Sequence, residues 1–514
     1  MVFNKLIQRL TFLTFCFPYT CTFAQQAFQE SLQVGSIFQP HMVLQRDLPV
    51  TIWGQATAGS QITVSFANQI QTTITNEQGS WSLQLAPLKG SYSPKNMTIL
   101  SSNNQKIVLA DILVGEVWIC AGQSNMDMAI GRVKDIQVLS KSAKHIRSLT
   151  VVHNVALTEQ KSMQANWQTS LPDSAVAFSF AYYLQQRADV PVGIILSAWG
   201  SSSIEAWMPR DLTKELAYFN TIMQEFDADA DRIAKINRIL SGPLPWTRID
   251  DVYLRRQPNI LFNAMMNPLV PYTVRGLVWY QGERNTQSMH GLVKDPWYKN
   301  NSGMLKYKDA LQAWIKRYRQ QWDNSDMHFM LVMLPRFNAL LNTSPTKEAR
   351  HPNAHSWAWM REAQLAVQSM KNVAVINTID LGHPTNIHPL DKLPIGQRLA
   401  NAAARNTLHQ TVEAQGPVLV KAVISGSNVR LFFEHAEGLR TVNSKAPDEF
   451  WLANDSQKWV KDDAKIRQNT VLLSSPSLQN PLYVRYAFSG FPQVNLINAA
   501  GLPAQPFRTD HFEP

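Results

Sequence analysis

Between residues 111 and 410, short and solidly apolar segments alternate with amphipathic stretches, and this alternation restricts the chain more than any other feature. The apolar segments lie at 112–120, 192–197, 274–280, 329–334 and 373–378, and the helical ones at 177–187, 305–322, 356–370 and 394–408. Strands without polar alternation are buried on both faces, so the pattern predicts an α/β domain whose parallel sheet is covered by helices. In such a sheet a small-molecule site forms in the crevice at the carboxyl ends of the strands.

The texture differs on either side. Residues 51–53, 61–66, 71–75, 80–85 and 97–101 alternate apolar and polar positions, with turn signals at Ala58-Gly59-Ser60 and Glu77-Gln78-Gly79. They predict a small antiparallel β-sandwich over 25–110. A second is expected over 411–514, from strands at 418–424, 428–433, 449–452, 470–473 and 482–487. The charged stretch that begins at Asp211 predicts a helical insertion over about 211–255, rimming the site.

Residues 1–24 combine Lys5 and Arg9 with an apolar run and a small-residue end at Ala24. This is the pattern of a signal peptide for export to the periplasm or the exterior. Cleavage there would leave Cys120 as the one cysteine, so no internal disulfide is expected. No later segment reaches the roughly 18 unbroken apolar residues of a membrane helix. The formal charge of +10 is spread over 514 residues without a basic run, which argues against a nucleic-acid partner.

Four polar segments follow the predicted strands. The first is Gly122-Gln123-Ser124-Asn125-Met126, where a serine at a strand-to-helix junction has its hydroxyl at the open sheet edge and helix-start N–H groups beside it. A helix N-cap is the alternative use of such a serine. The last holds His383 and His388; if its strand lies near the first, His388 can act as the base for Ser124. Asp391 reads as a helix cap. Between them, Trp199-Gly200 and Gln281-Gly282-Glu283-Arg284-Asn285 supply backbone and side-chain amides for an oxyanion. The His351 and His355 pair encloses Pro352 and no glutamate, a poor match to a helical zinc motif, so neither metal nor other cofactor is expected.

In these segments the chain resembles the sialate O-acetylesterases of the SGNH hydrolase superfamily. The resemblance rests on Gly115-Glu116-Val117-Trp118 with Gly122-Gln123-Ser124-Asn125-Met126, on Trp199-Gly200 with Glu205-Ala206-Trp207, on Trp279-Tyr280-Gln281-Gly282-Glu283 with Asn285, and on Ile387-His388-Pro389 with Lys392, Gly396 and Arg398. It extends to the flanks through Phe38-Gln39-Pro40-His41-Met42 and Gly501-Leu502-Pro503-Ala504.

The resemblance implies a flavodoxin-like, three-layer α/β/α SGNH domain over 111–410. It implies Ser124 as nucleophile, His388 as base, and an oxyanion hole from Ser124, Gly200 and the amide of Gln281 or Asn285. Arg284 departs from a serine common in relatives, and Thr385 stands where an aspartate usually completes the triad. Either His388 works in a dyad, oriented by backbone or Asn386, or a carboxylate such as Asp380 reaches it. The implied substrate is an O-acetylated sialic acid. Gln123, Trp199, Trp207, Tyr280, Glu283 and Arg284 are expected to contact the sugar, and Arg284 and Arg132 are candidate cations for its carboxylate. Acetylxylan or another neutral acetylated sugar is an alternative substrate, and a carbohydrate-binding protein without turnover an alternative function.

Overall fold

A computed structural model describes residues 31–288, 304–338, 352, 356–461, 463–475, 478 and 480–512. The expected leader at 1–24, His351 and His355 lie outside the described residues.

The central strands are β1 (Lys106–Gly122), β2 (Ile146–Thr150), β3 (Val192–Ala198), β4 (Gly276–Tyr280), β5 (His328–Val332) and β6 (Val373–Ile376). They lie side by side in the order β2-β3-β1-β4-β5-β6, all parallel, with the short strand Trp167–Gln168 antiparallel at the β2 edge. The chain leaves β1 toward β3 and later returns to its other side at β4. The topological switch therefore falls at the end of β1, where a ligand crevice opens. Ala198 and Tyr280 are both level with Gly122, so the loops after β1, β3 and β4 emerge together.

Two helix pairs accompany the sheet: α1 (Ala175–Ala188) packs with α4 (Lys392–Thr407), and α2 (Met304–Gln321) with α3 (Ser356–Leu365). Ser174 caps α1 by accepting the Ala177 N–H, and Asp189 ends it in the left-handed region. At the α1–α4 crossing, a Cβ on Gly396 would lie 2.1 Å from Ser179 Oγ, so only glycine permits this approach. Asp391 stands at the N-cap of α4, but its carboxylate accepts the Gly382 N–H instead of capping the helix. The expected insertion forms helices at Ala217–Ala228, Ala230–Leu240 and Arg248–Leu254.

The flanking regions are β-rich and tightly joined to the centre. β1 pairs antiparallel with Ser91–Ser101 in its first half and enters the parallel sheet in its second, so the boundary expected near 110 falls inside one continuous strand. Val43–Gln45 also pairs with it. Below this junction the buried Glu116 carboxylate accepts from Arg46 and Arg275, which offsets the cost of burying it. The C-terminal strands form two four-stranded sheets and one two-stranded sheet. Buried Arg361 donates to the carbonyls of Leu334, Pro335, Ser489 and Gly490, tying that region to β5 and α3.

Candidate active site

No helix begins directly after β1; the next helical residues are Ile130–Arg132 and Lys134–Ser140. Gly122 has φ +140°, and a Cβ there would meet Tyr280 O at 2.2 Å, so the position requires glycine; the chain then folds into a single turn in which Met126 and Asp127 N–H both donate to Gln123 O. The strand-to-helix junction expected at Ser124 is thus a turn, and its donors are turn amides. The turn is fastened to the start of α1 by Ser174 Oγ donating to Met126 O and Ala175 N to Met128 O.

β6 is separated from β1 by β4 and β5, so strand proximity does not bring His388 to Ser124. The segment after β6 instead runs back to the start of α4, and α4 rests on the same α1 that holds the serine turn; Ser179 Oγ donates to Leu393 O. This brings His388 Nε2 to 2.8 Å from Ser124 Oγ. With Nε2 as acceptor, the ring proton sits on Nδ1. Asn386 Oδ1 accepts the His388 N–H at 2.9 Å and sets the backbone. Thr385 donates its N–H to His383, and Asp380 is bound through both oxygens to Arg398. Among the described residues no carboxylate accepts from His388 Nδ1, so the geometry is that of a dyad. Burial, then Lys392 and Arg132, hold the imidazole below its ordinary pKa, which keeps it neutral and able to take a proton.

Ser124 and His388 open onto a cavity of about 340 Å³ lined also by Gln123, Asp127, Gly200, Ser201, Arg255, Glu283, Arg284 and Ile387. A Cβ on Gly200 would be 3.1 Å from Ser124 Cβ, so its backbone abuts Ser124. Among the described residues neither the Ser124 nor the Gly200 N–H has a protein acceptor. Gln123 Oε1 accepts from Gln281 Nε2 at 3.1 Å and from Arg284 N at 3.3 Å, which turns its amide nitrogen away from that wall.

Several expected site residues are elsewhere. Gln281 and Asn285 are buried behind the cavity: the Gln281 amide donates to Gln123, Ser202 and Asn285, and the Asn285 amide donates to both carboxylate oxygens of Glu205. Neither amide faces an oxyanion. Trp199 is held between His153, stacked at 4.4 Å, and Trp246, stacked at 6.2 Å. Trp207 donates to Ser202 Oγ and meets Trp279 edge-on. Tyr280 is fully buried, with the Lys392 ammonium 5.1 Å from its ring centroid. These rings are core and offer no face to a sugar. Arg132 is exposed outside the cavity lining.

Other residues at the site carried weaker signals. Buried Lys392 donates to Asn125 Oδ1 at 2.6 Å, while the Asn125 amide donates to Glu283 and to Ile387 O, clamping three loops. Burial pulls the Lys392 ammonium down to about 7 and pushes the Glu283 carboxyl up. Asn125 and Lys392 share sequence motifs with the reactive residues, which was their signal. Burial also pushes Asp127 up to about 7. Arg255 comes from the insertion, and no spacing announces it. Among the described residues, no group of His, Cys, Asp and Glu could hold a metal ion.

Residues 114–240 and 247–405 match the family described as carbohydrate esterase, sialic acid-specific acetylesterase. The chain is 23% identical to the sialate O-acetylesterase of Mus musculus, over 92% of this chain and 93% of that one, and 25% identical to that of Homo sapiens, over 92% and 91%. A carbohydrate acetylesterase from Xanthomonas citri superposes with a TM-score of 0.77 at 27% identity, covering 94% of this chain and all of that one. A serine and a histidine in contact on a cavity at the switch point of a parallel sheet accord with that likeness, and the chain belongs to the sialic acid-specific acetylesterase family of carbohydrate esterases, which are carboxylic ester hydrolases.

Proposed function

We propose that this protein is an exported serine esterase that removes O-acetyl groups from sialic acid through an acetyl-serine intermediate. The observation that carries the reading is the 2.8 Å contact between Ser124 Oγ and His388 Nε2 at the floor of the cavity. Neutral His388 takes the Ser124 proton as Oγ attacks the acetyl carbonyl. The resulting oxyanion is held by the Ser124 and Gly200 N–H groups and the Gln123 amide nitrogen, whose oxygen is already engaged in the wall. The imidazolium then protonates the departing sugar oxygen. In the second half, His388 takes a proton from water, hydroxide attacks the acetyl carbon, and Ser124 leaves with that proton as acetate is released.

The strand order and the two helix pairs support reading residues 111–410 as a three-layer SGNH-type domain, between β-sandwich domains at 25–110 and 411–514. Arg284 on the cavity favours an anionic sugar. A neutral acetylated sugar such as xylan is the second reading, since the Xanthomonas citri relative is described as a carbohydrate acetylesterase without restriction to sialic acid.

The test is acetate release from O-acetylated sialic acid and from acetylated xylan by the wild type, Ser124→Ala and His388→Ala. Release from the sialate should fall by roughly four orders of magnitude or more in each variant. A preference for xylan would move the substrate to the second reading. Release that survives Ser124→Ala would remove the serine mechanism.

A further inference from the structure

Arg255 lines the cavity, and the proposed acetyl transfer does not use it. It follows the insertion helix Arg248–Leu254, and its backbone N–H donates to Asp251 O. The segment after it is anchored by Asn259 N donating to Glu205 O and Asn259 Nδ2 to Met208 O. This delivers the guanidinium to the nucleophile, with Nη1 3.7 Å from the position of a Cβ on Gly200.

The guanidinium is poorly satisfied. Its Nε is buried without a hydrogen-bond partner, and its one ion-pair partner among the described residues is Asp251, 3.4 Å from Nη2. Leaving such donors unpaired is costly, whereas a planar fork suits a carboxylate well. Arg256, by contrast, turns to Ser201 Oγ at 3.0 Å. Two carboxyls share the cavity with Arg255. Glu283 is committed through one oxygen to Asn125, and burial raises both Glu283 and Asp127, which weakens their repulsion of an incoming anion.

We infer that Arg255 is a specificity-determining residue that binds the carboxylate of an anionic acetylated sugar beside the Ser124–His388 pair. The inference rests on the reading of that pair as the deacetylating centre. The insertion thereby gains a role in recognition, since it adds a second cation to the Arg284 that the loop after β4 places on the cavity.

The experiment compares kcat/KM for acetate release from O-acetylated sialic acid with that from its carboxamide, in the wild type, Arg255→Gln and Arg255→Lys. A charge-assisted contact predicts that the wild type favours the acid and that Arg255→Gln lowers the acid-to-amide ratio about tenfold or more, mainly through KM. Arg255→Lys should retain part of the preference, a rescue that loss of packing alone would not produce. An unchanged ratio in Arg255→Gln, or a wild type with no preference for the acid, overturns the inference. Acetate release that persists in Ser124→Ala overturns the esterase reading instead. Equilibrium binding of unacetylated sialic acid to the wild type and Arg255→Gln then judges the arginine alone: equal affinity overturns it, and weakened affinity supports it.

Discussion

The loops at the open end of the sheet fall into two pairs that look alike in sequence and behave oppositely. Segments 123–127 and 387–388 turn reactive atoms into the cavity, whereas 199–207 and 281–285 turn most of their polar atoms into the wall. Ser124 and His388 meet each other at the cavity surface. Gln281, Asn285, Glu205 and Ser202 meet one another behind it. The difference lies in whether a polar side chain finds a protein partner in the neighbouring loop. A residue whose donors are consumed by the wall positions its neighbours; one left with an open donor is available to a substrate.

The division can be broken most directly at the amides. Gln123→Ala should lower kcat by about 100-fold or more, as expected for a lost oxyanion donor, with little change in substrate KM. Asn285→Ala should chiefly destabilise the fold, by about 1–3 kcal/mol for the buried partners it strands, read by denaturant unfolding. An Asn285→Ala variant of normal stability whose kcat falls as far as that of Gln123→Ala would dissolve the distinction.

A smaller effect sharpens it at the histidine. In the proposed mechanism His388 acts only while neutral, and its pKa is held down by burial and by the positive charges of Lys392 and Arg132. Lys392→Met removes one of those charges and so raises the histidine pKa. The acid limb of the kcat profile should move to higher pH, toward the ordinary histidine range. A limb that stays in place would mean that Lys392 only braces the Asn125 clamp. The smallest shift, in the same direction, is expected for Arg132→Gln, because its charge is exposed and screened. Added salt should shrink that shift in the wild-type comparison, and a shift indifferent to salt would count against a through-solvent origin.

Much of the fold is legible because apolar periodicity reports burial directly. Residues 61–66 and 80–85 occupy the expected strands, and the five apolar segments of the centre all became strands. β2 is the exception. It is buried over Ile146–Leu149 but contains Arg147 and Ser148, which disguise it as a polar loop. Their polar atoms are satisfied by distant groups, Arg147 by His41 O and Asp111 and Ser148 by Ser170 O, and no local pattern encodes such partners. The site divides the same way. Ser124, Gly200 and His388 stood out because small or reactive residues follow apolar strands. Trp199, Trp207 and Tyr280 stand in the same motifs yet are core, since aromatic residues serve packing and sugar stacking with equal ease.

The chain's own order of residues determined the alternating centre and the β-rich flanks, because local periodicity encodes these without reference to distant neighbours, and the family resemblance of its motifs singled out Ser124 and His388 as the proposed reactive pair. Tertiary structure alone decided that His388 reaches Ser124 through the packing of α4 on α1 across two intervening strands. It also decided which amides stay open and that Arg255 arrives from the insertion beside Gly200. Those outcomes depend on distances between residues far apart in the chain, which only the closed, packed chain defines.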